Sequence, residues 1–137
     1  MGLIMIEINN KLLREMPSSF RRDFKIGLHL SQSNPIENKS RHSCIIRFKN
    51  KIIGCGVNKT KTHPLQAKYK NHPDQDFLHA EIDAIVDVIN KHGSSILSEC
   101  EMIVIRTYKD HTLASSKPCP GCKKAIEAFD IPKVYHT

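Results

Sequence analysis

The chain has 137 residues, enough for one domain with a continuous core, and 39% hydrophobic and 26% charged residues are typical of a globular protein. No apolar stretch is long enough to cross a bilayer, and the apolar start, interrupted at Glu7, lacks the basic segment and cleavage site of a secretory signal, so we expect no membrane partner. The net charge of +7 favours nucleotides or nucleic acid as partners, but the basic residues are scattered, which a solvated surface explains equally well.

Five cysteines, odd in number and irregular in spacing, do not form the pattern of a disulfide framework. Cys44 and Cys55 lie among apolar residues and are most simply buried thiols. With no secretory signal, this cysteine usage predicts a cytoplasmic location.

The first half of the chain predicts a helix, a hairpin and a loop. The helix is expected after Pro17, capped by Ser18 or Ser19, and ends near residues 33–35. Two β-rich runs, 44–48 and 52–57, are joined by a short polar turn and predict an antiparallel hairpin. The polar segment 58–76 predicts a long loop, a feature that is uncommon unless it serves a site.

The second half alternates helices and strands. Apolar residues at helical spacing predict a helix over 79–92, ended by Gly93, and a buried strand follows at 102–105. After a polar excursion over 109–117, a helix is expected from about Cys119 and a brief strand at 133–135. This order predicts an α/β fold, a three-layer α-β-α sandwich whose mixed sheet has an N-terminal antiparallel hairpin and later parallel strands. We expect a single domain over 1–137, with its core at about 18–137.

Cys119 and Cys122 form a C-x-x-C pair at the start of a predicted helix. On the opening turn this spacing brings both sulfurs to one side, and Pro120 suits the first helical position because its missing N–H would be unpaired there anyway. The helix N-terminus lowers thiol pKa values, which favours the thiolate that a metal requires. On this pair alone, a redox dithiol and half of a structural zinc site stay open.

His79 and Glu81 open the preceding predicted helix, where both side chains can reach a point just ahead of its first turn. A right-handed strand–helix–strand arrangement brings the two helix starts to the same sheet edge. One nitrogen and two sulfurs then make a three-ligand zinc site that leaves its fourth position for water, as in a catalytic centre. Glu81, which is not a ligand, would move the proton of that water. The pattern H-x-E followed by P-C-x-x-C is the zinc-deaminase signature.

With these residues the sequence resembles the cytidine and deoxycytidylate deaminase superfamily over roughly residues 18–137. The matching segments are 79–81, 118–122 with the helix that follows, and 54–58, a glycine-containing strand that ends in Asn58. The resemblance implies Zn²⁺ held by His79, Cys119 and Cys122, with Glu81 as general acid and base. It also implies contacts to the base from the backbone of Ala80 and to the sugar or ring from Asn58. The helix after Cys119 looks most like that of the deoxycytidylate branch.

The sequence also departs from the family. Many relatives carry Thr-x-Glu-Pro-Cys where this chain has Lys117 before Pro118; that lysine either suits a substrate phosphate or faces solvent. Relatives usually add a strand and a helix after the strand with which this chain closes, which leaves open what covers that sheet edge; a neighbouring subunit of a homo-oligomer is one answer. His63 and His72 lie where some relatives hold a second, structural zinc, but four ligands cannot be assembled, which favours solvated histidines.

Three functions remain in competition. The first is deamination of a cytosine-containing nucleotide or nucleoside, such as deoxycytidylate. The second is deamination of cytosine or adenine within RNA or single-stranded DNA, which the basic charge favours and the 6% aromatic content disfavours. The third is a catalytically inactive, zinc-stabilised nucleic-acid-binding module. Glu81 argues against the third, because a structural zinc site needs four ligands and no proton shuttle.

Overall fold

A six-stranded mixed sheet forms the centre of the protein, whose computed structural model describes residues 2–37, 40–70 and 77–137. The strands lie in the order β1-β6-β4-β2-β3, with the short β5 paired to β4. Their bounds are β1 Ile4–Glu7, β2 Arg41–Phe48, β3 Lys51–Val57, β4 Glu101–Thr107, β5 Leu113–Ala114 and β6 Lys133–His136. The β2–β3 hairpin is antiparallel and β4 pairs with β6 in parallel, which confirms the predicted mixed sheet.

Helices cover both faces of the sheet, which confirms the three-layer sandwich. They are α1 Asn10–Glu15, α2 Ser18–Gln32, α3 Pro64–Tyr69, α4 Ala80–His92 and α5 Pro120–Ala128, with a short 3₁₀ helix at Ser95–Glu99. Helix α2 packs on one face through Phe20 and Phe24, which share a core cluster with Ile45 of β2. The neighbouring Ile46 points to the other face and joins the core under α4 and α5, as the alternation of side chains along a strand requires.

Helix α4 is fixed against the edge strand β3 by close packing and by two carboxylates. Gly56 lies so near the helix that an added Cβ would stand 2.4 Å from the backbone nitrogen of Ala84. Asp83 accepts a hydrogen bond from the Val57 backbone N–H at 3.1 Å, and Asp87 accepts one from the Cys55 N–H at 3.0 Å. Since these N–H groups lie on an open edge, the aspartates satisfy them and set the position of α4 along the strand.

The first strand was missed by sequence reasoning. Four residues, Ile4–Glu7, pair in parallel with β6. They cover the edge of β6, which one of our predictions assigned to a neighbouring subunit. Ile6 and Ile8 pack with the core cluster under α2, so residues before 18 contribute to the core. A four-residue run is too short for an alternation signal, and its pairing partner lies more than 120 residues away, so only tertiary structure identifies it.

Smaller predictions were also corrected. The predicted loop 58–76 contains helix α3, which starts at Pro64 and is capped by His63, whose Nδ1 accepts from the Leu65 N–H at 3.0 Å. Helix α2 begins at Ser18 directly after Pro17, and no side chain caps it. Cys55, expected to be buried, is exposed because its side chain points away from α4 at the edge of the sheet. Among the helices of the described ranges, none has the length and apolarity needed to span a membrane.

Candidate active site

The starts of helices α4 and α5 meet and bring together the three predicted metal ligands. His79 directly precedes α4, Cys119 directly precedes α5, and Cys122 lies in the first turn of α5. Nδ1 of His79 stands 3.3 Å from Sγ of Cys122 and 3.6 Å from Sγ of Cys119, and the three ligand atoms lie within 4.8 Å of one another. No other group of three such residues that could hold a metal was found in residues 2–37, 40–70 and 77–137.

These separations fit a zinc ion. Tetrahedral Zn²⁺ with bonds of about 2.3 Å to sulfur and about 2.0 Å to nitrogen requires nitrogen–sulfur separations of about 3.5 Å. The two distances found here bracket that value. A nitrogen and two sulfurs also form the donor set that zinc prefers over magnesium or calcium. His63 is not part of the cluster, and His72 lies outside the described residues.

The protonation of the two thiols depends on their mutual contact and on the start of helix α5. A hydrogen bond from Cys122, together with interactions with His79, lowers the pKa of Cys119 to about 4 in spite of the opposing effect of burial. The backbone N–H of Cys122 also points at this sulfur, at 3.4 Å. The same sulfur–sulfur hydrogen bond and burial raise the pKa of Cys122. Cys119 is therefore the thiolate at neutral pH, and zinc binding would also have to displace the proton of Cys122, since each cysteine ligand binds metal as a thiolate.

A short helix outside the predicted site positions His79. The backbone N–H of His79 donates to Oε1 of Gln66 at 3.0 Å, and Gln66 is buried on α3. This bond holds the residue just before α4, where its ring faces the two sulfurs. Sequence reasoning missed Gln66 because it took this segment as a loop, although Pro64 at a first helical position was an available signal.

Glu81 lies in the first turn of α4 and is 5% exposed. Burial is the largest influence on its carboxyl and raises the pKa, while its own backbone N–H and the charge of His79 oppose that rise. Glu81 lines the same cavity as His79 and Cys119, which places its carboxyl beside the ligand cluster. A buried carboxyl that is adjacent to a metal-ligand cluster can exchange a proton with a bound molecule.

A cavity of about 470 Å³ opens in front of these groups, a size typical of small-molecule sites. All three predicted substrate contacts, Asn58, Ala80 and Lys117, line it, and Lys117 is exposed. The remaining lining residues, which include several that sequence reasoning did not identify, are Ile36, Ser40, His42, Lys59, Phe77, Leu78, His79, Glu81, Ser116 and Cys119. Lys59 forms an ion pair with Asp83 at 3.0 Å.

His42 contributes a neutral imidazole to this cavity. Burial lowers its pKa to about 4, and the charges of Arg106 and His79 act in the same direction. A hydrogen bond with the backbone of Ser40 and the charge of Cys119 oppose this shift only in part. At neutral pH the ring is therefore uncharged. It is the second residue of β2 and lies before the predicted run 44–48, in no motif, so sequence reasoning did not identify it.

Residues 26–137 match the family described as the cytidine and deoxycytidylate deaminase zinc-binding region. The chain belongs to this family. It is a deaminase-type hydrolase with Zn²⁺ as its cofactor, and the cluster of His79, Cys119 and Cys122 fits the zinc site. The predicted superfamily, enzyme class and cofactor are thereby confirmed.

The fold of this deaminase is similar to that of the dCMP deaminase from cyanophage S-TIM5. The apo structure of that enzyme matches with a TM-score of 0.58 and 23% identity over 88% of this chain and 84% of the other. Its complex with dCMP and dUMP gives the same TM-score and identity over 88% and 82%. The guanine deaminase of Bacillus subtilis has a TM-score of 0.44 and 20% identity over 93% of this chain and 63% of its own. No curated protein sequence matches the deaminase significantly.

Proposed function

We propose that this deaminase converts a cytosine-containing nucleotide, such as deoxycytidylate, to its uracil counterpart and releases ammonia. In this proposal His79, Cys119 and Cys122 hold Zn²⁺, and Glu81 is the general acid and base. The observation that carries the proposal is the position of Glu81, a buried carboxyl beside the three converging ligand atoms and in the wall of the same cavity.

Zinc held by these three residues would supply a Lewis acid that makes water a competent nucleophile at neutral pH. Glu81 would take the first proton from the attacking water and give it to the ring nitrogen, and would then take the second proton from the new C4 hydroxyl and give it to the departing amine. The water oxygen forms a bond to C4 of the base, the bond from C4 to the exocyclic nitrogen breaks, and ammonia leaves. Because Glu81 is 5% exposed, bulk water competes little for this proton.

Charge and size support a nucleotide monomer as the substrate. Lys117 stands at the cavity wall, two residues before Cys119, where a substrate phosphate would meet its ammonium group. The net charge of +7 attracts an anionic substrate of any length. The cavity of about 470 Å³ has room for one nucleotide. The S-TIM5 enzyme of similar fold was crystallised with dCMP and dUMP.

We further propose that Asn58 and the backbone of Ala80 contact the substrate, since both line the cavity. The single domain over 1–137, the cytoplasmic location and the homo-oligomer stay predictions. Sedimentation velocity of the purified protein tests the oligomer: a monomer at all concentrations would contradict it.

A substrate panel followed by ultraviolet absorbance tests the activity. It contains cytosine, deoxycytidine, deoxycytidylate, a single-stranded DNA oligonucleotide and transfer RNA. We expect the fastest deamination for deoxycytidylate, and a loss of about 10²–10⁴-fold in kcat for Glu81→Gln with the zinc content unchanged. Glu127→Gln, the same change at an exposed residue of α5, is the matched control and should be neutral.

Each other outcome favours a different function. Activity on the polymers alone would replace our proposal by a nucleic-acid deaminase. One zinc per chain without any activity would favour the inactive binding module. A protein that contains no metal would contradict the whole site.

A further inference from the structure

The loop that follows helix α2 contacts the end of strand β3 through two asparagines. Asn34, which is 5% exposed, donates from Nδ2 to Oδ1 of Asn58 at 2.7 Å and to the backbone oxygen of Asn58 at 3.1 Å. Oδ1 of Asn34 accepts from the Ile36 backbone N–H at 3.1 Å. Two of these partners are backbone groups with fixed roles, a carbonyl and an N–H, so they determine which end of the Asn34 amide is oxygen.

The carboxamide of Asn58 is fixed in the same way. Its Oδ1 accepts from the His42 backbone N–H at 2.9 Å as well as from Asn34, and its Nδ2 donates to the Ser40 carbonyl at 2.8 Å. A flip of the amide would oppose donor to donor at His42 and acceptor to acceptor at Ser40. Three partners from two segments thus hold one orientation.

In this orientation the Asn58 side chain can offer a ligand an N–H donor but no acceptor. Its oxygen has two lone pairs, and both are used by His42 and Asn34. Its nitrogen has two hydrogens, of which Ser40 takes one; within the described part of the chain the other has no partner. Because Asn58 lines the cavity, a ligand that reaches it meets an N–H donor and no acceptor.

We propose that Asn34 is a positioning residue that locks the Asn58 amide as a donor, so that the substrate must present an acceptor oxygen, such as a sugar oxygen or a ring carbonyl, at this wall. The inference rests on the proposed function, since it names the polarity of one contact in that site. Asn34 itself does not line the main cavity and acts through Asn58.

Two substitutions at Asn34 test the lock by kinetics. Asn34→Ala removes the donor, and Asn34→Asp replaces it by an acceptor that repels the Asn58 oxygen. We expect both to raise KM for deoxycytidylate, by about tenfold for the aspartate, with kcat within about threefold of the wild type. Asn58→Asp, which keeps the acceptor and loses the donor, should raise KM at least as much. Asn90→Asp, the same charge change at an exposed position of α4, is the control.

A second readout does not depend on activity. Hydrogen exchange of the His42 backbone amide, observed by NMR in the free protein, should be slow in the wild type and faster in both Asn34 variants, because its acceptor is no longer held. A folded Asn34→Asp protein with unchanged KM and unchanged His42 exchange would overturn this inference and leave the proposed function intact. A wild type that deaminates nothing in the panel would overturn the proposed function, and the donor role of Asn58 with it.

Discussion

Gly56→Ala is expected to damage the active site although Gly56 is neither a proposed zinc ligand nor a proposed substrate contact. An added Cβ would meet backbone atoms of α4, which cannot rotate away: the nitrogen of Ala84 at 2.4 Å, the oxygen of Ala80 at 2.6 Å and the carbonyl carbon of Asp83 at 2.8 Å. Ordinary contacts between such atoms are about 3.5 Å, so the helix must move by about 1 Å. Since α4 begins directly after His79 and carries Glu81, the proposed metal ligand and the proposed proton carrier both move with the helix.

Two magnitudes follow. Overpacking of this kind costs about 1–3 kcal/mol, which for a chain of this size lowers Tm by about 3–10 °C. A displacement of about 1 Å at a reacting group reduces kcat by about a hundredfold. Thermal unfolding and deoxycytidylate turnover measure these two effects, and the zinc content shows whether the ligand cluster still binds metal.

Gly27→Ala is the matched control on the opposite face of the sheet. There the atoms nearest to the new Cβ are side-chain carbons, of Ile105 at 2.8 Å and of Ile45 at 3.2 Å, and α2 itself carries none of the residues that line the cavity. We expect this variant to lie within about 1 kcal/mol of the wild type and to keep its activity. A Gly56→Ala protein with a Tm within about 2 °C of the wild type and with full turnover would show that the packing argument is wrong.

Three further predictions concern the rest of the fold. Asp23→Asn takes from the buried Arg47 a carboxylate partner at 2.7 Å and leaves it the ion pair with Glu101; the free energy of unfolding in urea should fall by about 1–3 kcal/mol. The double variant Asp23→Leu, Arg47→Met should recover most of that loss. The pKa of His42 is about 4 in the folded protein against 6.5 in the unfolded chain, so the unfolded state binds the proton first as pH falls. The free energy of unfolding should therefore fall between pH 6.5 and pH 4, by at most about 3 kcal/mol. Urea titrations at several pH values measure this slope, and His42→Gln should flatten it. Deletion of residues 2–7 removes β1 and exposes the edge of β6, which should lower Tm and produce concentration-dependent association in light scattering; a monodisperse, equally stable truncation would contradict the role given to β1.

Local patterns carried most of the fold and the proposed metal ligands. The spacing of apolar residues identified α4, and the turn between two β-rich runs identified the β2–β3 hairpin. The C-x-x-C and H-x-E patterns are each confined to a few residues, and each starts a helix, so their geometry is set mainly by the local backbone. The structure then places all three ligand atoms within 4.8 Å of one another.

Contacts between distant segments escaped sequence reasoning. Strand β1 depends on a partner more than 120 residues away, and Gln66 reaches His79 from a helix hidden in a predicted loop. Ile36, Ser40 and His42 line the cavity, and hydrogen bonds join Asn34, Ser40 and His42 to Asn58; nothing in these residues alone predicts that contact.

The sequence by itself predicted the chemistry: which atoms would bind zinc, which carboxyl would move a proton and which helices present them. Only the tertiary structure decided the enclosure, namely what covers β6, what holds His79 in place and which end of the Asn58 amide faces a ligand. The physical reason is that a ligand set within one helix turn is fixed by backbone geometry, whereas the orientation of a side-chain amide depends on partners that only the folded chain brings within hydrogen-bond distance.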